Sequence, residues 1–271
     1  MTVIHVLDDL LPPAALGAGV PALLDEHQQA LHSAQRDSDA WRTRLGVMIE
    51  EAEEAKRQRA GDTELFRMSI DKVASEARAL RNQLAAKVEE VAKDHDGVVV
   101  THGTASLEET AYFLHLTHKS LKTVVVIGAQ RPSSGFATDG GANLRNGLQV
   151  AGAPECRNMG VLTLLNNEIQ SAREVTKTST YRLQTFHSPD MGMLGHADPD
   201  DRISIYRKPT RCHAPDTEFA VAGRDNLPRV DIVYSYAGAT GDHVTASIQG
   251  GAEAIVVAAM APGSPAPAQK E

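Results

Sequence analysis

The chain has 271 residues, 42% of them apolar and 4% aromatic, and carries a formal net charge of −8. The apolar content supports a buried core, whereas an acidic balance with few aromatic residues supplies neither the basic stripe nor the stacking surface that nucleic acid requires. No apolar run approaches the roughly 20 residues that span a bilayer, and Cys156 and Cys212 form neither a disulfide framework nor a metal-binding spacing.

The opening stretch MTVIHVLDDLLPPAALGAGV lacks the positively charged start of a secretory signal. A cytoplasmic location is therefore expected. Residues 26–60 are rich in Gln, Glu, Arg and Ala, and Trp41, Leu45, Met48, Ala52 and Ala55 recur at helical steps. After Gly61-Asp62 the rule repeats, with Phe66, Ile70, Val73, Ala77, Leu80, Leu84, Val88 and Val91 in a heptad-like stripe. These spacings predict an amphipathic helix pair or coiled coil filling residues 1–82. It would be either a hairpin packed on a larger body or an arm for oligomerisation.

From Gly97 the pattern becomes α/β. Val98-Val99-Val100, Thr123 to Gly128, Met159 to Leu165, Val230 to Tyr234 and Ala254 to Ala259 read as buried strands. Helices are predicted between them: one opened by a capping box of Ser106 and Glu109, one over 139–151, and one over 242–250. Alternating strands and helices predict a parallel, doubly wound α/β domain over residues 83–261. The Pro/Ala/Ser-rich residues 262–271 are expected to be a disordered tail.

In such sheets ligands bind at the carboxyl ends of the strands. Thr101-His102-Gly103-Thr104 stands at such an end and runs into a helix N-terminus, where backbone amides favour a carboxylate or a developing oxyanion. A threonine hydroxyl there needs a base or a nearby cation to become a nucleophile. The competing reading is that Thr104 and Ser106 simply cap the helix. A second segment, residues 166–180, follows the third strand and sets Lys177 among hydroxyl groups, where it would serve as a base if desolvated. Its alternative is a solvated lysine on a surface loop. Asp139 is either a ligand group or a helix N-cap. The 11 histidines show no metal-ligand spacing, and Gly140-Gly141 and Gly250-Gly251 match no phosphate or dinucleotide loop. No metal and no cofactor is expected.

Five stretches go further: DGVVVTHGTASLEETAYFLHLT, VVVIGAQRP, NNEIQSAREVTKTSTYRLQTF, YRKPTR and VDIVYSYAGA. They are long, ordered and correctly spaced, and over about residues 84–261 the chain resembles the bacterial L-asparaginase family, its type II branch especially. The resemblance implies a parallel α/β domain followed by a smaller one. It implies cofactor-free hydrolysis of L-asparagine, and more slowly of L-glutamine, through a threonine nucleophile and an acyl-enzyme. It also implies a homo-oligomer with shared sites, periplasmic in many type II relatives; the composition separately predicts no nucleic-acid or membrane partner. Carried onto this chain, Thr104 and Lys177 take catalytic positions, and Gly103 and Ala105 take substrate-binding positions.

The chain departs from the family pattern at three places. Ala105 stands where the family has an aspartate that serves the threonine–lysine set and helps hold the substrate's amino group. No Thr-Gly-Gly-Thr-Ile turn, the family's source of its main nucleophile, occurs between Met1 and Gly97, and Pro262-Gly263-Ser264 replace an Asn-Gly-Asn turn. Without the strand that carries the first turn, an uncovered sheet edge is expected. Two other readings stay open: a non-catalytic relative that binds an amino acid or assembles with an intact paralogue, and a structural protein driven by its helical arm.

Overall fold

The computed structural model describes residues 3–6, 50, 63–224 and 227–270. The helix expected over 26–60 lies outside the described residues, apart from Glu50. The chain divides into two compact units, residues 1–223 and 224–271.

The first unit runs β1 (Val3–Val6), α1 (Thr63–Val91), β2 (Gly97–Thr101), α2 (Leu107–Thr117), β3 (Thr123–Ile127), α3 (Gly140–Gly152), β4 (Val161–Leu165) and β5 (Glu168–Ser171), then the short strands β6 (Thr176–Lys177), β7 (Phe186–His187), β8 (Gly195–Ala197) and β9 (Ile203–Ile205). β2, β3 and β4 pair in parallel and are buried almost throughout, as valine-rich strands covered on both faces should be. Their side chains alternate between two cores. Val98, Val100, Val124, Val126 and Val161 pack with Leu84 and Val88 of α1 and with Leu107, Ala111 and Leu114 of α2. Val99, Val125, Ile127, Leu162 and Leu164 pack with Leu144 and Val150 of α3. Helices thus cover both faces of the sheet, and the fold is α/β. Gly97 lets α3 close on the start of β2: a Cβ there would lie 2.1 Å from the Ala151 carbonyl oxygen.

The sheet departs from the parallel arrangement that the sequence predicts. Its order is β1-β2-β3-β4-β5-β8-β9, and only its middle is parallel. Asn166 and Asn167, with φ of 50° and 69°, make a two-residue turn that reverses the chain after β4. Asparagine tolerates that left-handed backbone, and such turns match the twist of a hairpin. β5, β8 and β9 consequently extend the sheet antiparallel. At the other side β1 pairs antiparallel with β2, so the edge expected to be uncovered is occupied.

The end of α1 packs on this body. Leu84, Ala85, Val88, Val91 and Ala92 are buried, whereas Leu80, in the same stripe, is exposed. Glu89 of α1 accepts from His118 Nδ1 at 2.6 Å and from the Lys119 backbone at 2.8 Å, fastening α1 to the end of α2. The expected division at 82/83 falls inside this helix. The capping box does not form: Ser106 makes no side-chain cap bond, and Glu109 pairs with Arg81 of α1 at 2.6 Å.

In the second unit, β10 (Val230–Tyr234) and β11 (Ala254–Ala258) form their own parallel pair, connected through α4 (Asp242–Gln249). These are the fourth and fifth strands of the sequence reading, and they pair with each other rather than extend the main sheet. Beyond β11 the chain is folded where a disordered tail is expected. Met260 and Ser264 bridge, the Ala266 amide donates to Ser235 Oγ at 2.8 Å, and Gln269 Nε2 donates to the Tyr234 carbonyl at 3.0 Å.

Candidate active site

The parallel strands β2 and β3 end side by side, and the loop after β2 leads into α2. The His102 amide extends the ladder by one bond to the Ile127 carbonyl, at 2.8 Å. Its ring then pins the loop, with Nδ1 2.7 Å from the Gly103 carbonyl and Nε2 3.0 Å from Thr110 Oγ1. A carbonyl only accepts, so Nδ1 carries the proton and Nε2 accepts from the threonine hydroxyl. Burial holds the pKa of this ring below its ordinary value, against the raising effect of the Gly103 bond. Gly128, just past β3, gives the loop room: a Cβ there would lie 2.8 Å from the His102 carbonyl oxygen and 3.0 Å from Thr104 Cγ2.

Thr104 and Lys177 meet. Lys177 Nζ donates to Thr104 Oγ1 at 2.9 Å across 73 positions of sequence. Neither competing reading describes this pair, since the threonine hydroxyl engages a lysine from another element, and the lysine is part-buried against it. Lys177 stands opposite Phe186 in the β6–β7 pair, and its Nζ lies 5.9 Å from that ring's centroid. Ammonium over an aromatic face is a favourable arrangement. The hairpin continues through the Thr178 amide, which donates to the Thr185 carbonyl at 2.7 Å.

Glu108, in the first turn of α2, accepts the Lys177 backbone N–H and, at 3.4 Å, the Thr176 hydroxyl. The sequence reading does not single out this residue. Its signal is faint: two adjacent acids open α2, and only the fold shows that Glu109 turns to α1 while Glu108 turns to β6.

Gly103 and Ala105 flank Thr104, and both are exposed. Nothing lies within 4 Å of where a Gly103 Cβ would stand, so this side of the loop is open. Asp139 makes no cap bond to α3. Its carboxylate instead accepts the Gln130 and Arg131 amides at 3.0 and 2.8 Å and Asn143 Nδ2 at 3.0 Å, clamping the loop after β3. That loop reaches the β6–β7 connection through Gln130 Nε2, which donates to the Arg182 carbonyl at 3.0 Å. Among the described residues no group of three or more His, Cys, Asp or Glu is placed to hold a metal ion, and no helix is long and apolar enough to cross a membrane.

The site therefore offers a hydroxyl held by an ammonium group beside a helix N-terminus whose first amides have no partner within the helix. The family model described as "Asparaginase, N-terminal" matches residues 32–211. The match begins well inside the amino-terminal segment that the sequence reading sets apart. L-asparaginase 2 of Bacillus subtilis (strain 168) is 48% identical over 171 residues, which are 63% of this chain and 45% of that protein. The glutaminase-asparaginase of Pseudomonas fluorescens biotype A is 41% identical over 199 residues, 72% of this chain and 54% of that protein. Among solved structures, the probable cytoplasmic L-asparaginase from Campylobacter jejuni superposes with a TM-score of 0.67 at 41% identity, covering 70% of this chain and 61% of that one. The chain spans about half the length of the curated relatives it matches. With the family model covering most of the α/β unit and the parallel strands presenting the matching loop, the chain belongs to the asparaginase family.

Proposed function

We propose that this chain is an asparaginase-type amidohydrolase that cleaves the side-chain amide of L-asparagine, and more slowly of L-glutamine, using Thr104 and Lys177. The hydrogen bond from Lys177 Nζ to Thr104 Oγ1 carries the reading. It puts positive charge beside the oxygen that must become nucleophilic, which stabilises negative charge as it develops there. Thr104 is the hydroxyl this arrangement offers. Its oxygen attacks the amide carbon, its proton passes to the departing nitrogen, and ammonia leaves an ester on Thr104. Water then cleaves the ester and releases aspartate. The amides opening α2, which have no partner within the helix, suit the substrate's carboxylate or the oxyanion. Gly103 and Ala105 form the open wall beside the nucleophile. The homo-oligomer implied by the resemblance belongs to the same proposal.

The test is ammonia release from L-asparagine by the purified full chain. Thr104→Ala and Lys177→Ala should each lower it by roughly 10²-fold or more. The two losses should not add, because the groups act as one unit. Release that persists unchanged in both variants would sink this assignment. The methyl of Ala105 favours a second reading, a relative that keeps the fold and the pair without turnover, and absence of release from the parent chain would select it.

A further inference from the structure

We propose that Glu108 is the positioning residue that holds Lys177 on Thr104, an inference that rests on the Thr104–Lys177 reading above. The strand carrying Lys177 is two residues long, and a hairpin of that size is marginal in water unless something else fastens it. Its partner side is fastened: Gln170 Nε2 donates to the Phe186 carbonyl at 3.4 Å, and Asn166 Nδ2 donates to Gln184. The β6 side is held by Glu108, whose two carboxylate oxygens take the Lys177 amide and the Thr176 hydroxyl.

Placement explains why this residue fits the role. Thr104 and Glu108 are four apart, on either side of the start of α2, and Leu107 between them is fully buried in the core. Glu108 is therefore anchored at the loop-to-helix junction that follows Thr104. The hairpin meets that junction at two points, the lysine ammonium on Thr104 and the lysine backbone on Glu108. One contact alone lets a long flexible side chain wander. Fixing the backbone at the same residue confines Nζ to the hydroxyl, and a small misplacement of such a pair is costly in rate. The amide needs only an acceptor oxygen, so the neutral glutamine side chain should serve in place of the carboxylate.

The experiment measures kcat and KM for ammonia release from L-asparagine together with trace acylation of lysines by acetic anhydride, using exposed Lys93 as internal reference. Glu108→Ala should lower kcat between about 10- and 100-fold with little change in KM, and Lys177 should acylate faster than in the parent. Glu108→Gln should recover most of both effects, which a general loss of stability would not do. Glu108→Asp, which keeps the charge but withdraws the acceptor by one methylene, should show the alanine pattern in lesser degree and keeps the test open if Glu108→Ala does not fold. Parent-like kcat and acylation in Glu108→Ala, or a Glu108→Gln that behaves like Glu108→Ala, would overturn the proposal. If the parent releases no ammonia, the proposed function fails, and acylation of Lys177 alone then decides whether Glu108 positions it.

Discussion

At residue 105 a methyl group stands beside the hydroxyl that the site presents. A carboxylate there would accept a charge-assisted hydrogen bond from a substrate ammonium or from Lys177, and a methyl can do neither. Such a bond contributes roughly 1.5–3 kcal/mol, about 10- to 150-fold in an equilibrium or rate. Ala105 is exposed, and the adjoining side of the loop is open, so an aspartate enters without a clash. Ala105→Asp should therefore raise kcat/KM for L-asparagine by about tenfold or more. If neither turnover nor substrate binding responds, the remaining site is not built for this amino acid. Thr104 and Lys177 are legible in the sequence because each sits in a long ordered motif. That they touch is a property of the fold, since the hairpin after β5 brings Lys177 back to the end of β2. Glu108 is illegible for a related reason: its partners lie 68 and 69 positions away, and nothing local distinguishes it from Glu109.

At the scale of elements, α2 shows how a local rule yields to packing. The Ser-x-x-Glu spacing predicts a capping box, yet Glu109 is drawn to Arg81 and Ser106 makes no cap bond. Helix caps of this type contribute about 0.5–2 kcal/mol where they form. Ser106→Ala should accordingly change the free energy of unfolding by less than about 0.5 kcal/mol, as measured by urea titration. A loss of the usual cap size would show that the serine does cap α2 in solution. The helices and the strands β2, β3 and β4 are legible because they are long, with an apolar run or a 3.6-residue stripe that needs no partner to be read. The antiparallel flank is not, because β5, β8 and β9 are three or four residues each and draw their identity from cross-strand neighbours. The separate β10–β11 pair is illegible for the same reason, since a buried-looking run does not say which sheet takes it.

At the scale of the whole chain, the buried histidines tie stability to pH. His115 of α2 is 1% exposed, and its Nδ1 lies 3.2 Å from the Val161 amide and 3.1 Å from the Val161 carbonyl. Nδ1 thus lies within hydrogen-bond reach of both Val161 backbone groups, and the carbonyl also takes the Ala172 amide at 3.1 Å. Protonation leaves a charge buried between α2 and the sheet. Burial pushes the His115 pKa down to about 4 from an ordinary 6.5, against the raising effect of its bond to Val161. Below pH 6.5 the unfolded chain takes up a proton that the folded chain refuses. His115 thus contributes its full stability above pH 6.5 and loses it progressively until about pH 4, a change on the order of 3 kcal/mol. His102 acts with the same sign. Glu89 acts lower: burial raises its carboxyl, but its bonds to His118 and the Lys119 amide together hold it below its ordinary 4.5, so its contribution is lost only as pH falls beneath that value. Urea unfolding between pH 8 and 4 should therefore show stability flat above 6.5 and falling below it. His115→Asn, whose side-chain amide can pair with either backbone group without titrating, should reduce that slope whatever its effect on absolute stability. A variant with the parent's full slope would place the acid sensitivity on other groups.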